Sequence, residues 1–78
     1  MTAAATWETV AATCRLRQDA ADLLGRLVTV PSNTPPWWAK SANARIRDAY
    51  QDLALVFADL ADEASEFAIS AAEHEAVA

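Results

Sequence analysis

The chain holds a single cysteine, Cys14, a single glycine, Gly25, and a single histidine, His74. A lone cysteine excludes an internal disulfide, and one Cys with one His is a poor ligand set for a structural metal. One glycine excludes a glycine-rich loop that cradles phosphate. No apolar run approaches the ~18 residues of a membrane-spanning helix. The opening residues Met1-Thr2-Ala3-Ala4-Ala5-Thr6 also lack the basic segment and long apolar core of a signal peptide. The expectation is therefore a cytoplasmic protein without a membrane partner, a metal or a cofactor.

Basic residues are missing altogether after Arg47. Residues 1–47 carry six basic side chains against the acids Glu8, Asp19 and Asp22, whereas residues 48–78 carry eight acids and no Lys or Arg. The net charge of −5 repels a phosphate backbone, so nucleic acid is disfavoured as a general partner. Twenty residues are alanine and arginine outnumbers lysine five to one, a bias that fits a GC-rich coding sequence of the actinobacterial or phage kind.

At 78 residues a single chain is near the size at which it struggles to bury enough surface to offset its conformational entropy. With disulfides and metals set aside, oligomerisation is the stabilising device that remains.

What is present in quantity is helical pattern. From Ile46 to His74 apolar residues return at Ile46, Tyr50, Leu53, Phe57, Leu60, Ala64, Phe67 and Ala71, in alternating steps of four and three that define one stripe of a long helix. No Gly or Pro interrupts that run. An all-alanine row, Ala54, Ala61 and Ala68, lies beside the stripe and would let a second helix approach closely. Upstream, Thr6 is the expected N-cap of a first helix running to about Val30, with Glu8 in its first turn. Gly25 interrupts it, either as a close helix crossing or as a stop before the β-branched stretch Leu27-Val28-Thr29-Val30; the preserved spacing of Leu23, Leu27 and Val30 favours continuation. Pro31-Ser32-Asn33-Thr34-Pro35-Pro36 reads as a turn no helix can cross, and the second helix starts at about residue 36 with Thr34 or Pro35 as cap and a proline in its first position.

The predicted architecture is all-α: one domain over residues 1–78, an antiparallel helical hairpin with helices at about 6–30 and 36–74. At ~1.5 Å per residue the arms measure about 37 and 57 Å. A hairpin closed at the proline turn then leaves Phe67, Ala68, Ile69 and Ala71 overhanging, which predicts a homodimer forming a four-helix bundle with its long helices antiparallel. The candidate dimer residues are Tyr50, Phe57, Leu60, Ala61, Ala64, Phe67, Ala68 and Ala71. Lys40, Arg45 and Arg47 near the start of the long helix, and Glu66, Glu73 and Glu75 near its end, each oppose their own helix dipole, which an antiparallel neighbour relieves.

No catalytic constellation emerges. Residues adjacent in a helix point apart, so Glu73 and Glu75 do not converge on His74. Nothing places a base against Cys14, which reads as a small core residue. The expected function is non-enzymatic: binding of an unidentified protein partner, as a regulator or inhibitor whose acidic face blocks a basic surface. Candidate partner residues are Trp37 and Trp38 as aromatic anchors, the acids Asp52, Asp59, Asp62, Glu63 and Glu66, and an apolar pair, Leu55 and Ile69, fourteen residues apart. Two alternatives stand beside it: an assembly component that forms helical oligomers through Leu55 and Ile69, and an accessory DNA-binding protein using the basic segment Lys40 to Arg47.

Overall fold

In a computed structural model the described residues are 2–27 and 36–77, and they form two helices. Helix α1 spans Ala3–Arg26 and helix α2 spans Pro36–Val77. No strand occurs among the described residues. The fold is all-helical, and the two helices pack along their length as a hairpin.

The N-cap of helix α1 lies four residues before the expected one. Thr2, not Thr6, is the N-cap: its backbone is extended and its Oγ1 accepts from the Ala5 N–H at 3.1 Å, satisfying one of the donors every helix start leaves unpaired. Ala3, Ala4 and Ala5 are the best of helix formers, so nothing opposes this earlier start. Thr6 lies one turn in and donates its hydroxyl back to the Thr2 carbonyl. Helix α1 is described to Arg26, with Leu27 as C-cap donating to the Leu23 and Leu24 carbonyls. The expected continuation of α1 through Leu27 to Val30 is corrected: the helix ends at Arg26 with Leu27 as its C-cap, at the start of the β-branched stretch; the turn at 31–35 and the cap of α2 fall outside the described residues. Pro36 opens α2, where its missing N–H costs nothing.

The seam between the helices is made of small residues. On α1, Ala4, Ala11 and Gly25 are buried and Gln18 is half-buried, at intervals of seven, while Cys14 and Ala21 fill the line between. On α2, Ala54, Ala61 and Ala68 are buried at the same interval, alternating with Tyr50, Phe57, Ala64 and Ala71. A seven-residue repeat on both helices is the pattern of a two-stranded coiled coil. Here alanine occupies one of its two inner positions almost throughout, and small side chains let two helices approach closely.

A close approach occurs at Gly25. A Cβ placed there would lie 3.0 Å from the Tyr50 Cβ, an atom held by the α2 backbone. The lone glycine thus marks a close helix contact, and α1 also ends one residue after it, so each of the two accounts its sequence position allowed holds in part.

The inner line of α2 therefore differs from the one expected. The alanine row faces α1, and Ile46, Leu53, Leu60 and Phe67 are rotated onto the flank, where they stay exposed. Likewise Ala61, Ala64 and Ala68, expected at a dimer contact, are buried by the chain's own first helix, and Tyr50, Phe57 and Ala71 are half-buried there.

The alignment of the arms is also corrected. Trp7 stacks on Phe67 with ring centroids 4.9 Å apart, and the Ala3 N–H donates to Glu75 Oε1 at 3.0 Å. Because α1 starts near the chain's beginning, it runs alongside the carboxyl half of α2. The overhang is at the opposite end, where α2 extends past the crossing of Gly25 and Tyr50 toward Pro36. The result is a rod of 64 × 16 × 10 Å, one helix thick.

Gly25→Ala tests the close crossing. Helix propensity alone favours the substitution by about 1 kcal/mol, but pushing the axes apart costs typically 1–3 kcal/mol. The expected outcome is a melting temperature lowered by a few degrees in circular dichroism, and a rise would show that the helices do not meet there.

Candidate functional site

The side chains able to bind anything are those the seam leaves outside. Two helices give each seam residue only one neighbour, and the alanine seam spends that neighbour on small side chains. The large ones are distributed over two flanks and a back.

One flank lies beside Trp7, Cys14 and Ala21 of α1 and beside Tyr50, Phe57 and Ala64 of α2. Its α2 row is Ile46, Leu53, Leu60 and Phe67, evenly spaced by seven, with Leu53 42%, Leu60 45% and Phe67 52% exposed. Its α1 row is Val10, Arg17 and Leu24, and Trp7 leans onto Phe67 across the seam. The neighbouring threonines of α1 have little unmet polarity. Thr6 and Thr13 donate their hydroxyls to the Thr2 and Thr9 carbonyls four residues back, the local bond that lets a hydroxyl sit on a helix without another partner.

The other flank is polar. Arg15 Nη2 donates to Ser65 Oγ at 3.2 Å across the seam, and Glu8 and Asp22 occupy the equivalent α1 positions one repeat away on either side. An open groove of about 530 Å³ lies here, lined by Glu8, Ala11, Arg15, Ser65, Ala68 and Ile69. Ile69 stands on its rim and Leu55 lies two repeats earlier on the same row with Asp62 between them; both leucine and isoleucine are more than half exposed.

The back of α2, opposite the seam, is acidic. Asp52, Asp59 and Glu66 recur every seven residues and so fall on one line. Asp62 and Glu63 stand on either side of it, and all five are exposed. Trp37 and Trp38 sit in the first turn of α2 with 76% and 50% exposure. Lys40, Arg45 and Arg47 are exposed on the same end of α2.

Glu75 holds a role the sequence alone did not disclose. Its Oε1 accepts from the N–H groups of both Ala3 and Ala4, at 3.0 and 3.4 Å, so a carboxylate from the end of α2 sits on the positive end of α1. Rather than only opposing its own helix dipole, it ties the two ends of the chain together. The signal was obscure because it depends on the relative alignment of the arms. Asn43 lies on the seam line seven residues before Tyr50, and its Oδ1 is enclosed with no hydrogen-bond partner among the described residues. Cys14 is half-buried in the seam and His74 is exposed. Among the described residues no three His, Cys, Asp or Glu side chains are grouped to hold a metal ion, and no helix is long and apolar enough to cross a membrane.

Comparison with protein-family models, with curated proteins and with solved structures found no match. The functional reading accordingly rests on the faces themselves.

Glu75→Gln keeps the shape of the cap and removes its charge. The expected loss is about 0.3–1 kcal/mol, the usual worth of a carboxylate at an exposed helix start, with faster amide hydrogen exchange at Ala5 and Thr6. Unchanged exchange in that first turn would mean that Glu75 does not cap α1.

Proposed function

We propose that the protein is a non-enzymatic, cytoplasmic interaction protein, built as a helical hairpin that completes its fold by pairing into a four-helix bundle and then engages another protein. The observation that carries this reading is the inversion of the seam. Alanines occupy the buried line while leucines, isoleucines and phenylalanine remain on the flanks, and covering one such side chain is worth ~1.5–3 kcal/mol. A hairpin meant to stand alone gains by placing its largest apolar groups between its helices. This chain places them where another molecule can reach.

The overhang that the sequence suggested at Phe67 does not support pairing, since α1 reaches past that residue. The lateral exposure of Leu53, Leu60 and Phe67 replaces it as the reason.

The acidic line Asp52, Asp59 and Glu66 is the surface proposed for the second protein. It presents repeated negative charge on a rigid helix, suited to a basic groove such as one that otherwise holds phosphates. A regulator or inhibitor of a nucleic-acid-binding protein is the role that fits it. The exposed pair Leu55 and Ile69 favours a second reading, an assembly component whose bundles associate further through the polar flank. DNA binding through Lys40, Arg45 and Arg47 has weaker support, because the acids on the remainder of α2 oppose it.

Sedimentation at micromolar concentration is expected to give the mass of two chains. One chain would remove the bundle, and growth with concentration beyond two would favour the assembly reading. Reversing Asp52 and Asp59 to lysine is expected to keep the two-chain mass while abolishing capture of the protein partner. Capture that survives the double reversal would discard the acidic surface.

A further inference from the structure

We infer that the flank carrying Leu53, Leu60 and Phe67 is the face on which two copies of this chain meet, with their α2 helices antiparallel about a two-fold axis near Val56 and Phe57. The inference rests on the pairing proposed above and assigns its surface and orientation.

Area supports a second copy as the occupant. The chain exposes 5917 Å², whereas a compact monomer of 8.4 kDa exposes about 4,600 Å² by the usual scaling of surface with mass. The excess is about 1,300 Å² per chain. Two chains that buried it would share an interface of about 2,600 Å², within the 2,000–5,000 Å² common for obligate homodimers.

Chemistry selects the flank. The polar flank carries Glu8, Arg15 and Asp22 on α1 and Asp48 and Asp62 on α2, and burying these would desolvate charge without assured pairing. On the apolar flank the charges are Arg17 and, at its edge, Glu63.

Symmetry and charge select the orientation. A two-fold contact must be self-complementary. Ile46, Leu53, Leu60 and Phe67 are evenly spaced, so an antiparallel copy centred between Leu53 and Leu60 sets Leu53 against Leu60 of the second copy and Ile46 against its Phe67. The same operation brings Lys40, Arg45 and Arg47 beside the copy's acidic end, Glu63 to Glu73. A parallel pairing would stack acid on acid along the whole carboxyl half of α2.

The test uses the full chain with Cys14→Ala as background. Protein carrying Leu53→Cys is mixed with protein carrying Leu60→Cys and oxidised; the expected result is a disulfide-linked pair of chains on a denaturing gel. A mixture of Leu55→Cys and Ile69→Cys proteins, on the polar flank, is expected to give none. Linkage through 55 and 69 instead, or no linkage through 53 and 60 while the wild type remains two chains, overturns the assigned face but not the pairing. Leu53→Cys protein linking to itself as readily as to Leu60→Cys protein overturns the antiparallel orientation. A wild type with the mass of one chain removes the pairing itself, and a wild type covered only by a different protein removes the second copy as occupant. Hydroxyl-radical footprinting of the unmodified chain guards against misfolded variants: oxidation of Leu53, Leu60 and Phe67 is expected to fall at least threefold between dilute and concentrated protein, with Leu55 and Ile69 unchanged. Equal protection of both sets, or of neither, contradicts the assigned face.

Discussion

Close contact between two helix backbones is the constraint from which the rest follows. Gly25 faces Tyr50 with no room for a methyl group to spare, and Ala4, Ala11 and Ala21 meet Ala54, Ala61, Ala64 and Ala68 along the remaining length. Small side chains gain dispersion contact with the opposing backbone but cover little apolar area. Consequently the hairpin is well specified in register and weakly provided with a core. The end-to-end tie of Glu75 to Ala3 and Ala4, and the stack of Trp7 on Phe67, fix the same alignment from the other end.

That constraint also sorts the surface by role. With the seam occupied by alanine, rotation about α2 presents in turn an apolar flank, an acidic back and a polar flank with a groove. The apolar flank has the composition of half a bundle core, and in the proposed pairing the acidic back stays outward. The proposed assembly and partner surfaces thus lie on different sides of one helix.

Helix content was legible in the sequence because local signals agreed: uninterrupted good helix formers from Pro36 onward, a proline at the first position, and no glycine in α2. The start of α1 was not, because Thr2 and Thr6 are equally good caps locally and only the alanines between them decide. Choosing the inner line of α2 by size misled, since Leu53, Leu60 and Phe67 carry the larger hydrophobicity while Ala54, Ala61 and Ala68 share the seven-residue interval of Ala4, Ala11 and Gly25. Matching the repeats of the two helices would have found the seam. The arm alignment was hidden for a further reason: the expected tight closure at the prolines fixed the wrong end. Of the candidate partner residues, the acids and Leu55 and Ile69 are exposed, because none of them lies on the line of α2 that faces α1.

The most direct test of the claim that one hairpin is only half of the folded unit is its thermal unfolding over a hundredfold range of protein concentration. If two chains fold as one, mass action raises the melting temperature by roughly 5–10 °C across that range. A melting temperature independent of concentration, with the transition fully cooperative, would contradict the account and make the alanine seam sufficient by itself.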